Sequence, residues 1–215
     1  MKTLISNLIL LCFVLSSASA QSDSASVTTK FPEAFIGGGI AYPVLPANFK
    51  DDYGKGVNIT GGYGYSLVPG SFGYGSILAR ISYNRYSVKS GGGTSRSELA
   101  KKKVSLSGNA STSIDFSLNV KGTFATSRTS IAPYILLGIG YGSSRGSDIT
   151  VSGDTSFVIP EDHANSVLWL AGAGIDVPVN ERFAVFAEGI YFLQTAEEPP
   201  GWQHVPLSAG IRYRF

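Results

Sequence analysis

The sequence has little of three things: cysteine, charge and long apolar runs. Its one cysteine, Cys12, lies in the apolar run 4–14, which follows Met1-Lys2 and precedes Ala18-Ser19-Ala20. This order is typical of a secretory signal peptide with an A-x-A cleavage site, so we expect residues 1–20 to be removed. An uncleaved N-terminal anchor is the alternative. After cleavage the chain would have no cysteine, which excludes disulfides and a thiol nucleophile.

Charged residues make up only 15% of the chain, whereas soluble domains have about 25%. The formal net charge is only +2, so the chain lacks the broad basic surface that is typical of nucleic-acid binding, and we expect no nucleic-acid partner. No later apolar run approaches the ~20 residues of a membrane-spanning helix. Glycine (26), tyrosine (11) and phenylalanine (12) are abundant instead. This combination is unusual for a soluble protein and typical of a membrane β-barrel.

Apolar and polar residues alternate along most of the remaining chain. In the segment 113–124, the apolar residues from Ile114 to Val120 occupy every second position. Successive side chains of a strand point to opposite faces, so this segment has one apolar and one polar face. Residues 21–32 are polar and predict a loose leader before a barrel domain over 33–215. The same pattern predicts eight strands, at 33–43, 56–68, 72–86, 113–124, 131–142, 166–177, 182–192 and 204–215.

The predicted connections alternate in length. The loop through 48–52 and the connections 87–112 and 143–165 are predicted to be long, with 194–203 of middling length. The intervening turns at 69–71, 125–130 and 180–181 are predicted to be short. Long extracellular loops that alternate with short periplasmic turns are expected of an outer-membrane barrel.

Alternation alone does not say which face lies inside, because a soluble barrel such as a lipocalin also alternates. Here the polar face is mainly Ser, Thr, Asn and Gly, which suits the narrow lumen of eight strands. The apolar face carries aromatics at both strand ends and no charge between them; Arg85 lies near the upper interface. The predicted upper girdle is Tyr42, Tyr83, Tyr141, Trp169 and Tyr191, and the lower one is Tyr63, Tyr65, Phe124, Phe183, Tyr213 and Phe215. We therefore predict an all-β fold, an eight-stranded antiparallel up-and-down transmembrane β-barrel.

Several motifs on these strands resemble those of a known family. They are Pro133-Tyr134 leading to Gly138-Ile139-Gly140-Tyr141, then Gly172-Ala173-Gly174-Ile175-Asp176, the segment 182–191 with Glu188 inside, and Gly210-Ile211-Arg212-Tyr213-Arg214-Phe215. With them, 33–215 resembles the outer-membrane-protein β-barrel superfamily of outer membrane protein A-like and opacity-protein-like barrels. The resemblance implies a place in the outer membrane of a Gram-negative bacterium. It also implies that Phe215, supported by Tyr213 and Ile211, is the signal by which the barrel-assembly machinery recognises the chain. No peptidoglycan-binding domain follows the barrel, so we expect no tether to the cell wall.

Six charged residues fall on the predicted lumen face: Arg80, Asp115, Lys121, Asp176, Glu188 and Arg212. Buried charges need partners, because desolvation costs several kcal/mol per ion. We expect Arg80 and Glu188 to form a central pair, with Lys121, Asp176 and Arg212 below it. The first interpretation is a lumen filled by salt bridges. The alternative is a gate or a narrow ion path.

Candidates for catalysis or metal binding are few. The two histidines occur in His163-Ala164-Asn165-Ser166 and His204-Val205-Pro206-Leu207-Ser208. Lipid A deacylases among the barrels that this chain resembles use a His-x-Ser pair with a glutamate, and neither spacing here matches it. We expect solvated or rim histidines and no catalytic residue. Two histidines without cysteine also disfavour a metal site, and we expect no cofactor.

The connection 87–112 is basic, with one acidic residue, Glu98, against Lys89, Arg96, Lys101, Lys102 and Lys103. A mobile polar loop is the simple interpretation, and a patch for lipopolysaccharide phosphates or an anionic host surface is the sharper one. We expect a monomer whose partners are outer-membrane lipids, lipopolysaccharide and the assembly machinery, with a host or envelope surface as a further candidate. The first functional hypothesis is a non-enzymatic barrel that contributes to outer-membrane structure. A narrow pore or ligand channel and a lipid A-modifying enzyme are the alternatives.

Overall fold

The structure, a computed structural model, describes residues 31–45, 50, 52–66, 73–89, 105–125, 129–152, 156–161, 163–195 and 202–215. Within these ranges the chain forms strands β1 (Phe31–Leu45), β2 (Tyr53–Ser66), β3 (Tyr74–Val88), β4 (Ser105–Gly108), β5 (Ser111–Thr123), β6 (Ala132–Arg145), β7 (Ile149–Ser152), β8 (Phe157–Ile159), β9 (His163–Pro178), β10 (Phe183–Thr195) and β11 (Gln203–Arg214). No helix in the described ranges has the length and hydropathy to cross a membrane.

Eight of the strands close into a barrel in the order β1-β11-β10-β9-β6-β5-β3-β2. All neighbours pair antiparallel, and the first strand joins the last from the pair Glu33–Arg214 to the pair Leu45–Gln203. Closure leaves no strand edge with unpaired backbone groups, as a hydrocarbon environment requires. The predicted eight-stranded up-and-down barrel is confirmed.

The observed strand bounds lie within three residues of the predicted ones. Strand β1 begins at Phe31, inside the segment 21–32 that was predicted as a loose leader. The prediction of a long first connection is wrong, because 46–52 is no longer than 67–73, the connection that follows β2. The reason is that β2 starts early, with a register irregularity between Tyr53 and Gly56. A Cβ at Gly56 would lie 2.3 Å from the Arg85 carbonyl oxygen, so this close pairing requires glycine.

A second, three-stranded sheet lies within two of the connections that were predicted to be long, 87–112 and 143–165. Its order is β4-β7-β8, and we call it the upper sheet. Strand β4 runs almost directly into β5, and β7 follows β6 after residues 146–148, so the upper sheet prolongs one side of the barrel wall. Its strands have only three or four residues, too few for a period-two pattern to be visible in the sequence.

The two predicted faces of the wall are confirmed. In β5 the even-numbered residues face outward, and Leu118 is 58% exposed between Ser117 and Asn119, which are buried in the lumen. Every barrel strand exposes at least one large apolar side chain outward. The predicted girdle aromatics also face outward, with Tyr42 and Tyr213 half-buried there. A continuous apolar exterior of this extent is suited to lipid rather than to water.

Candidate functional site: the lumen and the upper rim

Arg80 and Glu188 meet in the middle of the lumen. They belong to β3 and β10, which lie on opposite sides of the barrel. The guanidinium donates to both carboxylate oxygens, with Nη1–Oε1 at 2.6 Å and Nη2–Oε2 at 3.0 Å. Tyr134 donates a further hydrogen bond to Glu188 at 3.0 Å, and Arg80 stacks on the ring of Phe35 at 4.8 Å. A bidentate pair of this kind ties the two walls together.

A second charged cluster, which we call the lower cluster, lies beneath this pair. Lys121 donates to Asp176 at 2.8 Å, and Arg212 Nε lies 3.3 Å from the other oxygen of the same carboxylate. Arg212 Nη1 is 3.5 Å from Glu33, and Arg214 is 3.6 Å from Asp176. The cluster therefore joins β1, β5, β9 and β11. Sequence reasoning omitted Glu33, because β1 is rich in glycine and its faces are hard to assign. It also omitted Arg214, although Arg214 shares the inward parity of Arg212 on the last strand.

Asp115 lies in an upper cluster that sequence reasoning did not assemble. Its carboxylate accepts from Asn84 at 3.0 Å and from Gln194 at 3.1 Å. His204 Nε2 is 3.5 Å from the same carboxylate, and its ring stacks on Phe192 at 4.9 Å. His204 lies near the upper end at the start of β11, as predicted, but it is not solvated, because its side chain is fully buried. It faces the lumen because it shares the parity of Arg212 and Arg214 on β11.

One side of the lumen is apolar, a feature that the prediction of a mainly polar interior did not include. Leu168 and Leu170 interrupt the polar face of β9 in the sequence, and the structure places both inside the barrel. They pack with four other buried side chains from β6 and β10: Tyr134, Leu136, Ile190 and Phe192. Most of the buried polar side chains lie instead on β2, β3, β5 and β11.

The upper end of the lumen, where β1 ends and β2 begins, is covered by the upper sheet. Ile149 and Val151 of β7 are buried against Tyr53 at the start of β2 and Trp202 just before β11. The rings of Tyr53 and Trp202 lie 6.3 Å apart. Ala41 and Tyr86 complete this cluster, which we call the upper apolar cluster. The extension of one wall thus reaches strands on the other side of the barrel.

The charged side chains of the lumen are buried at all three levels. Arg80 is 4% exposed, and Asp115, Lys121, Asp176, Arg212 and His204 are 1% exposed or less. Water reaches almost none of their surface, so the described side chains leave no wide aqueous path. Within the described part of the chain, no group of three or more His, Cys, Asp or Glu residues could hold a metal ion.

The remaining predicted residues lie at the two ends of the barrel. Ile211 and Phe215 are exposed on the outside, and the Tyr213 and Phe215 rings are 4.7 Å apart. Lys89 is exposed at the upper end, where its Nζ donates to the carbonyl of Lys50 at 2.7 Å. The other members of the predicted basic patch, Arg96, Lys101, Lys102 and Lys103, lie outside the described residues.

His163 is exposed at the start of β9, near the upper end. Its Nε2 lies 2.7 Å from Glu161, whose carboxylate also accepts hydrogen bonds of 3.0 Å from the Arg145 guanidinium. These bonds, first from Arg145 and then from His163, lower the pKa of the Glu161 carboxyl. The next outward residue on β9 is Asn165, while Ser166 faces the lumen. No serine of β9 therefore stands beside this pair on the outer face.

A closed antiparallel wall with an apolar exterior and a bonded polar interior defines an integral membrane β-barrel. A sequence model of the outer membrane protein beta-barrel domain matches residues 8–215. The chain therefore belongs to this family of outer-membrane β-barrels.

Solved structures of several outer-membrane proteins are similar to the chain. The attachment invasion locus protein of Yersinia pestis, solved with the heparin analogue sucrose octasulfate, is 16% identical with a TM-score of 0.47, and the match covers 86% of this chain and 99% of that one. Neisserial surface protein A is 13% identical, with a TM-score of 0.47 and coverage of 86% and 97%. The outer membrane enzyme PagL is 16% identical, with a TM-score of 0.45 and coverage of 86% and 99%. A comparison with curated protein sequences gives no match.

Proposed function

We propose that the protein is a non-enzymatic outer-membrane barrel that contributes to the structure of the membrane and conducts no solutes. The observation that carries this proposal is the packed lumen. Side chains from non-adjacent strands bond inside it at an upper, a middle and a lower level, and the middle pair joins opposite walls. Eight strands leave an interior that side chains alone can fill.

Conductance in planar lipid bilayers tests the proposal. We expect no discrete channel openings from the full chain, and none from Glu188→Ala, because clusters above and below that residue still fill the lumen. Regular openings in the unmodified protein that change in size with Glu188→Ala would replace this proposal with a gated ion path.

The proposal includes how the chain reaches the membrane and how it is oriented there. A cleaved signal peptide over 1–20 would deliver it to the periplasm, and Phe215, with Tyr213 and Ile211, would mark it for the barrel-assembly machinery. The N-terminus would stay periplasmic. The long upper connections 89–110 and 146–162 would then face the cell exterior, as in other outer-membrane barrels. There they are available for adhesion or envelope contacts, with the Lys-rich segment 101–103 offered to anionic surfaces.

One observation favours an alternative, a lipid A-modifying enzyme. The bond between His163 and Glu161 lies on the outer face near the upper end, within reach of outer-leaflet lipid. Two observations disfavour the enzyme. Arg145 forms an ion pair with the Glu161 carboxylate, and Asn165 lies at the outward position where a serine nucleophile would be expected. Mass spectra of lipid A from deletion and overexpressing cells separate the two. We expect identical profiles, whereas a new lipid A species that disappears with His163→Ala would establish the enzyme.

A further inference from the structure

The outward-facing cations of the barrel strands lie at one end only. Seven lysines and arginines occur in the described barrel strands, and Arg80, Lys121, Arg212 and Arg214 are buried in the lumen. The other three, Lys55, Arg85 and Arg145, face outward, and all lie near the upper end. The lower ends of the barrel strands carry aromatic and aliphatic side chains outward, and Arg182 is exposed just before β10. Such an asymmetry has no role in packing, because none of the three side chains is buried.

Arg85 stands at the boundary of the apolar band. The outward residues of β3 change along the strand from Ile81 through Tyr83 to Arg85, and Lys89 follows just beyond the strand. An order of aliphatic, aromatic and cationic groups matches the hydrocarbon, the interface and the headgroup region of a membrane. The register partners of Arg85 are Val57 and Thr112, so neither neighbouring strand offers a carboxylate opposite it.

Lys55 lies beside Arg85 on the adjacent strand. Its carbonyl oxygen accepts a hydrogen bond from Ser87 at 3.4 Å, which places it one outward position above Arg85. Its Nζ lies 5.3 Å from the centre of the Tyr42 ring. The ring holds the ammonium group at the wall rather than letting it extend into water. Lys55 and Arg85 thus form a pair of cations at the same corner of the rim.

Carboxylates do not neutralise this pair within the described part of the chain. Its ion pairs include Arg145 with Glu161, but none of them involves Lys55, Arg85 or Lys89. Arg145 is therefore an upper-end cation that has a carboxylate partner in the protein, unlike Lys55 and Arg85. Lys55, Arg85 and Lys89 thus form no ion pair with any other described residue.

We infer that Lys55 and Arg85, with Lys89 above them, bind phosphate groups of a phosphorylated glycolipid in the outer leaflet. The inference rests on the proposed orientation, with the upper end at the cell surface. Arginine matches a phosphate with two parallel N–H donors, and lysine adds a compact point charge. The occupant is a lipid rather than a soluble anionic protein, because Arg85 sits directly above Tyr83 in the wall, at the level of lipid headgroups.

Native mass spectrometry of the purified barrel, released from zwitterionic micelles, measures this binding with bis-phosphorylated lipid A as the probe. Each cation at an anionic membrane surface contributes about a factor of five in affinity, so Arg85→Ser should weaken binding about fivefold and Lys55→Ser with Arg85→Ser about thirtyfold. Arg182→Ser removes an exposed arginine at the opposite end and should leave binding unchanged. The pair Lys55→Arg and Arg85→Lys should retain most of the affinity. A migration shift between boiled and unboiled samples verifies that each variant is folded.

Three outcomes would overturn the inference. The first is equal affinity of the unmodified barrel for lipid A and for its dephosphorylated form. The second is an equal loss of affinity in Arg85→Ser and Arg182→Ser. The third is displacement of lipid A by millimolar inorganic phosphate, which would assign the site to a free anion. The assay involves neither a conducting bilayer nor a cell. A negative result would therefore overturn the lipid-binding inference alone, and the proposed structural role would still be tested by the conductance measurement.

Discussion

Arg80 and Glu188 connect the two most distant walls of the barrel. Their strands are separated by three others in either direction around the sheet, yet the guanidinium and the carboxylate share two hydrogen bonds. Gln194 bonds to Asp115 between β10 and β5 at the upper level, and Arg214 donates to the Tyr74 hydroxyl between β11 and β3 at the lower level. The lumen is therefore braced across its width as well as filled.

Removal of one partner of the central pair should destabilise the barrel. Glu188→Ala leaves the Arg80 charge buried without its carboxylate, which costs about 3–5 kcal/mol in the free energy of unfolding. Replacement of both residues, by Arg80→Met with Glu188→Leu, should recover most of that loss. Urea unfolding in lipid vesicles, followed by tryptophan fluorescence, measures both. A loss below about 1 kcal/mol in Glu188→Ala would mean that the pair is hydrated rather than desolvated.

A charge placed in the middle of the outer wall should be poorly tolerated. Leu118→Arg puts a guanidinium in the aliphatic band and should cost about 2–4 kcal/mol of stability, whereas a charge near the interface costs about 0–1 kcal/mol. Thr112→Arg supplies the matched control, because Thr112 faces outward on the same strand near its upper end. Unfolding in vesicles gives both values. If Leu118→Arg were instead a folded monomer in buffer without detergent, the assignment of the outer face to lipid would be incorrect.

Strand parity was sufficient to predict the wall and the inward position of the six charged residues that were named from the sequence. In the central part of the segment 113–124, apolar and polar residues alternate without exception. The inward orientation of Asp115 and Lys121 therefore follows from their positions in the strand. The partners of these charges depend on strands distant in the sequence. Asp115 lies opposite His204 only because β5 and β11 face each other in the closed barrel. Alternation within one segment carries no information on that juxtaposition.

The apolar side of the lumen and the upper sheet were not predictable for different reasons. Leu168 and Leu170 interrupt the polar face that the sequence pattern assigns to β9. A strand with two apolar faces is expected only where neither face contacts water. The structure makes both faces of β9 dry, one against lipid and one against Phe192 and Ile190. The upper sheet depends on tertiary contacts of Ile149 and Val151 with Trp202. Short segments rich in Ser and Thr have no sequence pattern that predicts such contacts.

The upper sheet should open independently of the barrel when its apolar contacts are removed. Ile149→Ala deletes a buried side chain from the upper apolar cluster and should cost about 2–5 kcal/mol, mostly as local opening. Hydrogen exchange should accelerate in β4 and β7 while β5 and β6 remain protected. Val158→Ala on β8 removes an exposed side chain and serves as the control. Equal acceleration throughout the barrel would show that the sheet and the wall unfold as one unit.

The Glu161 carboxyl should titrate below the ordinary range of glutamate. Its pKa is lowered by hydrogen bonds from Arg145 and then His163. Because the folded pKa is depressed, the contact is fully present above the unfolded pKa and is lost as the pH falls through the folded one. NMR titration of the carboxyl in micelles measures the midpoint. Arg145→Ala should raise it more than His163→Ala does, and a larger effect of His163→Ala would reverse the assignment of the main cause.

Phe215 should matter more for assembly than for the stability of the finished barrel. Its side chain lies exposed beside Tyr213 and Tyr63, while its backbone N–H donates to Pro32 at 3.0 Å, a bond that a substitution preserves. Phe215→Ser should therefore unfold in urea at nearly the same concentration as the unmodified barrel. In cells, the heat-modifiable fraction in the outer membrane should fall severalfold, because the terminal aromatic is proposed as the assembly signal. Phe183→Ser removes another lower-rim aromatic, which contacts Tyr213 at 4.9 Å. If both variants assembled equally poorly, the defect would come from the aromatic girdle and not from a C-terminal signal.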